Sequence, residues 1–403
     1  MTPPDTRLAP SAPASGALAL RSLPRLGLLW LAGVDLRLTI LALPPVLPLI
    51  HRDLDLSEKL VAALTGLPVL LFAIAAIPGS LLIARIGARR ALLTGLALTA
   101  LGAASRGLGP STPMLFAMTF VMGAGISIMQ PALPSLVSEW FEARPGLATA
   151  VYANGLLIGE VLGAALTLPL VLPLVGGSWA ASFIVWTVPV LATAVLIAGF
   201  TPHQPPLPGA AARLWWPDWR DAQTWQVGLI LGGGSCIYFA ANAFIPDYLN
   251  ATGAGGLIGP CLTSLNAGQL PASFLVLGFP ERVTGKKGPL VALGVLSLAG
   301  LGMLLLPLPW VQILGAGLLG FAAAFGLILT LALPPMLAAA TDVHRLSAGM
   351  LAIGYLTAFL VPLLGGVAWD ATDIPATAFL PIVLGAAMVL AVAVRLRPHR
   401  LST

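Results

Sequence analysis

The chain has 403 residues, of which 9% are charged and 58% apolar, with a formal net charge of +5; soluble domains run at roughly 25% and 45–50%. So few charges cannot cover a water-facing surface of this size, and the solvent is mostly lipid. A transmembrane barrel is excluded because its strands would read as short alternating segments, whereas the apolar runs here reach about 17–25 residues, enough for a spanning helix. Cys236 and Cys261 form no disulfide framework or metal pattern. No cofactor or metal is expected, and the positive balance belongs to basic loops rather than to a nucleic-acid surface.

Residues 1–25, rich in Pro, Ala and Ser, are expected to be a disordered tail. They do not read as a cleaved leader, because the apolar run that follows is too long for a signal h-region. The pattern then predicts helices over 26–50, 60–84, 91–108, 113–137, 147–173 and 179–200. Residues 201–223 interrupt the series with prolines that forbid a continuous helix, and with Trp215, Trp216 and Trp219, which suit a headgroup interface. A second series follows over 224–249, 257–280, 289–307, 309–338, 347–369 and 375–394. The expected fold is all-α: twelve transmembrane helices in two pseudo-symmetric six-helix bundles, 26–200 and 224–396.

Lys and Arg set the orientation. Arg21, Arg25, Arg85, Arg89, Arg90, Arg144, Arg213, Arg220, Arg282, Lys286, Lys287, Arg345, Arg395, Arg397 and Arg400 fall on one side. Only Arg52, Lys59 and Arg106 fall on the other. The asymmetry predicts cytoplasmic termini and a multi-pass protein of the inner membrane.

The halves repeat at an offset of 201. ALPSLVSEWFEARPG at 132–146 faces ALPPMLAAATDVHRLS at 332–347, Gly33 faces Gly234, Pro45 faces Pro246, and both halves carry a short basic turn at 84–93 and 281–290. Two similar halves in parallel orientation are a transporter architecture, with a site expected at mid-depth between them and access alternating by rocking.

Arg37 is the outstanding residue inside the membrane. It lies about 11 residues into the first helix, near mid-bilayer at roughly 1.5 Å per residue. An ionisable group at that depth costs roughly 2.5–3.5 kcal/mol on insertion scales and persists where it faces a bundle interior or a water path. Its planar fork suits a small anion and does not deprotonate. Glu160 lies at similar depth in the fifth helix and is expected to pair with Arg37 when substrate is absent. The pair serves either as a helix lock or, as the preferred reading, as a substrate contact beside a proton-coupling carboxylate. Asp35 points about 200° away from Arg37; a structural role is preferred for it, with a second proton site as the alternative. Tyr238 is the repeat partner of Arg37. With Tyr152, Asn154, Gln130, Asn242, Asn266, Gln269 and Tyr355 it completes the polar set within the spans, to be divided between helix-to-helix hydrogen bonds and substrate contacts. Gly123, Gly125, Gly159 and Gly163 are expected to permit close helix packing.

The turn SLLIARIGARRALL after the second helix resembles the conserved cytoplasmic motif of the major facilitator superfamily. Arg85, Gly87, Arg89 and Arg90 match, which implies a gating role for them, and Ala84 stands where the motif has an aspartate. Within the superfamily the chain is similar to the cyanate and 2-nitroimidazole porter group. That similarity is carried by the first-helix arginine followed by PPVLPLI, by GAGISIMQPALPSLVSEWF in the fourth helix and by GAALTLPL in the fifth.

The resulting expectation is a monomeric secondary transporter of a small anion or small polar organic compound, proton-coupled, and not an enzyme. Multidrug export is the second transport reading, and an Arg37 in the path would be an expensive inclusion for it. A membrane enzyme would need a catalytic cluster, and His51, His203, His344 and His399 are scattered over loops and tails. A receptor would usually carry a signalling domain, and no segment is long enough for one.

Overall fold

The computed structural model describes residues 15–109, 111–201 and 214–395. Among these no strand occurs. Among the described residues nine helices are long and apolar enough to cross a membrane, and the pair Ala63–Ile74 and Ala76–Ile86, bent by 49°, makes a tenth when taken as one broken span. The remaining two expected crossings are Ala88–Ser105, the third, and Ile258–Ala267 with Gln269–Gly278, the eighth. Counted with these two, the described helices fit the expected twelve crossings.

Proline explains where the helices break. Lacking an N–H, Pro cannot bond the carbonyl four residues back, and its ring clashes with it. Helical stretches end at Leu41, Ile74, Val185, Ala267 and Leu331, and Pro45, Pro78, Pro189, Pro271 and Pro335 lie four residues beyond. In the fifth crossing Pro169 sits in a wide π-helical turn, Thr167–Val171, between Pro145–Leu166 and Leu172–Leu174.

The first helix begins at Ser15, ahead of the expected start at 26. Ala and Leu in its opening turns favour helix, and Pro24 is carried inside it. The expected tail is therefore helical from Ser15, and residues 1–14 lie outside the described residues. Most of the linker, 202–213, also lies outside them. Of its described part, the carbonyl of Trp215 accepts from Ser80 Oγ at 2.7 Å and that of Trp216 from Arg345 Nε at 3.0 Å, so it ties the two halves together.

Pseudo-symmetry is visible in the packing. The first crossing packs on the fifth and the third on the fourth, as the seventh packs on the eleventh and the ninth on the tenth. Glycine makes the first of these seams. Gly155, Gly159 and Gly163 recur every four residues on one helix face and bring the fifth crossing onto the backbone of Trp30, Val34 and Leu38.

The halves meet toward the end of the bundle that bears the termini. There Arg144 Nε lies 3.9 Å from Glu281 Oε1 and Gly146 abuts Thr284. Leu333–Leu337 packs on the fourth and fifth crossings, and Gln269–Gly278 packs on the fifth. Toward the far end Ile258–Ala267 packs on the seventh and tenth crossings of its own half. The bundle is closed at the terminal-bearing end and splayed at the other.

Candidate functional site

Between the halves lies a cavity of about 440 Å³. The first crossing contributes Arg37, the second Thr65, the fifth Glu160, the seventh Ser235, Tyr238, Phe239 and Asn242, the eighth Gln269 and the eleventh Tyr355. A second space of about 650 Å³ continues it between the fifth and eighth crossings and adds Asn266. An open cleft of about 400 Å³, lined by Pro44, Leu47, Pro48, His51 and Val61, lies toward the far end and shares Pro44 with the central cavity.

Arg37 is half-buried. Its Nη2 donates to Tyr355 Oη at 3.4 Å, across the halves, and its guanidinium lies 5.2 Å from the centre of the Phe72 ring. Phe72 in turn packs against Tyr355, ring centres 5.2 Å apart. Phe72 therefore supports Arg37 from behind by a cation–π contact and orients the tyrosine. Nothing in the sequence marks Phe72, one of fourteen phenylalanines.

Glu160 does not pair with Arg37 here, contrary to expectation. Its Oε1 instead lies 2.9 Å from Tyr238 Oη. The reason is rotational. Val34 and Leu38 on one helix, and Gly159 on the other, form the packed seam. Arg37 and Glu160 each stand one residue, about 100°, off that seam, so each points into the cavity rather than across the seam to the other.

Tyr238 Oη also lies 2.9 Å from Asn266 Oδ1. Asn266 Nδ2 donates to the Leu262 carbonyl at 2.9 Å, and Gln269 Nε2 donates to Asn266 Oδ1 at 3.3 Å. A phenol carries one proton. Tyr238 therefore donates to Glu160 or to Asn266 at any moment, but not to both. Asn242 Nδ2 donates to the Tyr238 carbonyl at 2.9 Å, and the residue lines the cavity.

Of the other expected residues, Tyr152, Asn154 and Gln130 line neither of these two spaces. Tyr152 is buried with an unpartnered hydroxyl. Asn154 is a cross-half clamp: its Oδ1 accepts from Trp30 Nε1 and its Nδ2 donates to Ser273 Oγ, both at 2.9 Å. Gln130 is half-buried on the fourth crossing. Asp35 is buried away from the cavity, with Thr193 of the sixth crossing beside its carboxylate. Thr65, Ser235 and Phe239 line the cavity without having been singled out in the sequence; Ser235 follows Gly234, the repeat partner of Gly33.

The basic turn also resolves into parts. Gly87 closes the second crossing at φ +84°, a left-handed conformation that favours glycine. Arg89 caps the sixth crossing of its own half: Nε donates to Thr201 Oγ1 at 2.6 Å and Nη2 to the Ala198 carbonyl at 2.8 Å, where a cation also meets the negative end of the helix dipole. Arg85 is exposed and Arg90 half-buried.

The sequence profile of the Major Facilitator Superfamily matches residues 29–366. The chain is similar to the uncharacterized transporter YycB of Bacillus subtilis (strain 168), 28% identical over 86% of each chain. It is 29% identical to the cyanate transport protein CynX of Escherichia coli (strain K12), over 84% of this chain and 88% of that one. It is 28% identical to the 2-nitroimidazole transporter of the same organism, over 86% and 88%. Its fold matches that of the transporter FucP in the outward conformation, with a TM-score of 0.75 at 16% identity, over 94% of this chain and 99% of that one. The family and these relatives are transporters, not enzymes, so the chain is a multi-pass secondary transporter of a small molecule. It belongs to the major facilitator superfamily.

Proposed function

We propose that the chain moves a small anion, or a small flat polar compound of the cyanate and nitro-heterocycle kind, together with protons. The observation that carries this reading is Arg37, held at mid-depth in a cavity between the halves and backed by Phe72. A guanidinium presents a planar fork to an anion, and the rings of Tyr238, Phe239 and Tyr355 in the same wall suit a flat ligand. The two Escherichia coli relatives, which carry cyanate and 2-nitroimidazole by name, point to the same size class. With the basic, terminal-bearing end in the cytoplasm of the inner membrane, the present arrangement is an outward-open state.

Coupling rests on the one-proton deficit around Tyr238. With Glu160 ionised, Tyr238 serves either Glu160 or Asn266. With a proton on Glu160, that proton is donated to Tyr238 Oη, the phenol proton goes to Asn266, and every member is satisfied. An incoming anion occupies the field of Arg37 that Glu160 otherwise feels, so anion and proton binding favour each other. Anion affinity is therefore expected to rise as pH falls. Asp35, outside the cavity, has no part in this step.

The test is a thermal-shift screen of purified protein against cyanate, small carboxylates and nitro-heterocycles, followed by uptake into liposomes, since a ligand stabilises the state it binds. Arg37→Lys keeps the charge and loses the fork, and is expected to weaken binding of the best anion about tenfold or more, at 1.5–3 kcal/mol for a charged hydrogen bond. Wild-type affinity in Arg37→Ala would remove Arg37 from the site.

A further inference from the structure

By sequence Arg106 reads as one of the charges of an outer loop. The structure buries it instead, 1% exposed, where it closes the third crossing. Its Nη2 donates to the Thr39 carbonyl at 3.1 Å, and its guanidinium stacks over Phe183 at 4.2 Å. Nε and Nη1 have no hydrogen-bond partner, and no carboxylate among the described residues lies within ion-pair distance. An arginine keeps its proton in such a place, so a full positive charge and unused donors are left out of water. The ring of Phe183 answers part of the charge and none of the donors.

Beside this group is a small space of about 40 Å³. Arg106 and Thr119 line it, and the Thr119 hydroxyl is also buried without a partner. The rest of the wall is mainly apolar and brings no counter-charge. The volume exceeds the ~10–15 Å³ that one water needs, so a monatomic anion also has room. Water would satisfy donors but leave the charge; a monatomic anion satisfies both. Ile40, Pro44 and Thr65 line this space and the central cavity alike, so the two are neighbours.

We propose that this space is a resident halide site, in which chloride is held by Arg106 Nε and Nη1 and by the Thr119 hydroxyl. The site is separate from the one assigned to Arg37 and does not depend on the transport reading.

The test uses the full chain in detergent. Thermal unfolding is measured in gluconate, with chloride or bromide replacing it at constant ionic strength. The wild type and Arg37→Gln are expected to show the same saturable rise in melting temperature, and Arg106→Gln none. Thr119→Val, which keeps the cation, is expected to need severalfold more halide for half the rise. Crystals of the unaltered chain grown in bromide are expected to show an anomalous peak beside Arg106, an observation that does not depend on any variant folding. A halide effect that survives Arg106→Gln, or that disappears in Arg37→Gln, would place the anion elsewhere. Crystals with no bromide beside Arg106, together with a wild type indifferent to halide, would leave only water in the space and overturn the proposal.

Discussion

Gly159→Ala tests whether the seam between the first and fifth crossings positions Glu160. A Cβ at 159 would stand 2.9 Å from both the carbonyl carbon and the Cα of Val34, and closer still to the carbonyl oxygen. Carbon–carbon contacts settle at about 3.5–4.0 Å, so the seam must open by roughly 0.6 Å or more. The opposing atoms are backbone in the middle of a helix and cannot swing away as a side chain would. Overpacking of this kind costs about 1–3 kcal/mol, or roughly 2–12 °C in melting temperature at about 2–4 °C per kcal/mol for a unit of one half's size. The displaced residue drags Glu160 with it. A shift of that size away from Tyr238 stretches their 2.9 Å hydrogen bond to about 3.5 Å, beyond useful range. Gly302→Ala is the control: its Cβ meets open space, and the exchange is worth up to about 1 kcal/mol of helix propensity in its favour. Differential scanning fluorimetry and liposome uptake read both effects. A Gly159→Ala protein that melts with the wild type and transports normally would refute the close seam and the positioning argument built on it.

Glu160→Gln cannot exchange a proton, so anion binding is expected to lose its pH dependence, and pH-driven accumulation to vanish while counterflow exchange persists; an unchanged pH slope would return Glu160 to a purely structural role. Asn154→Leu removes a cross-half clamp that lies outside the cavity and leaves Trp30 Nε1 without its partner, at about 1–3 kcal/mol. Its expected signature is faster thiol labelling of a cysteine placed at Thr284 on the closed end, with substrate affinity in detergent little changed. Arg89→Ala removes the cap on the sixth crossing and is expected to lower stability by about 1–3 kcal/mol, measured by thermal unfolding, while leaving the distribution between open and closed ends as it was.

Much of this architecture is legible in the chain itself, because its causes are local. Apolar run length sets each crossing, the missing proline N–H sets five of the breaks four residues upstream, and the spacing of Gly155, Gly159 and Gly163 marks a face on which two backbones can touch. A membrane-depth arginine also announces itself, since its insertion cost needs a reason. What the chain could not disclose is which way each helix is turned about its axis. One residue of rotation, about 100°, separates an Arg37–Glu160 ion pair from two groups that face the same cavity through Tyr355 and Tyr238. The same rotation sends Asn154 into a clamp while Asn242 lines the cavity. Arg106 shows the limit most plainly. By sequence it is a loop charge beside Gly107 and Gly109; only the meeting of the first, second, fourth and sixth crossings around it decides that it is buried and without a counter-charge.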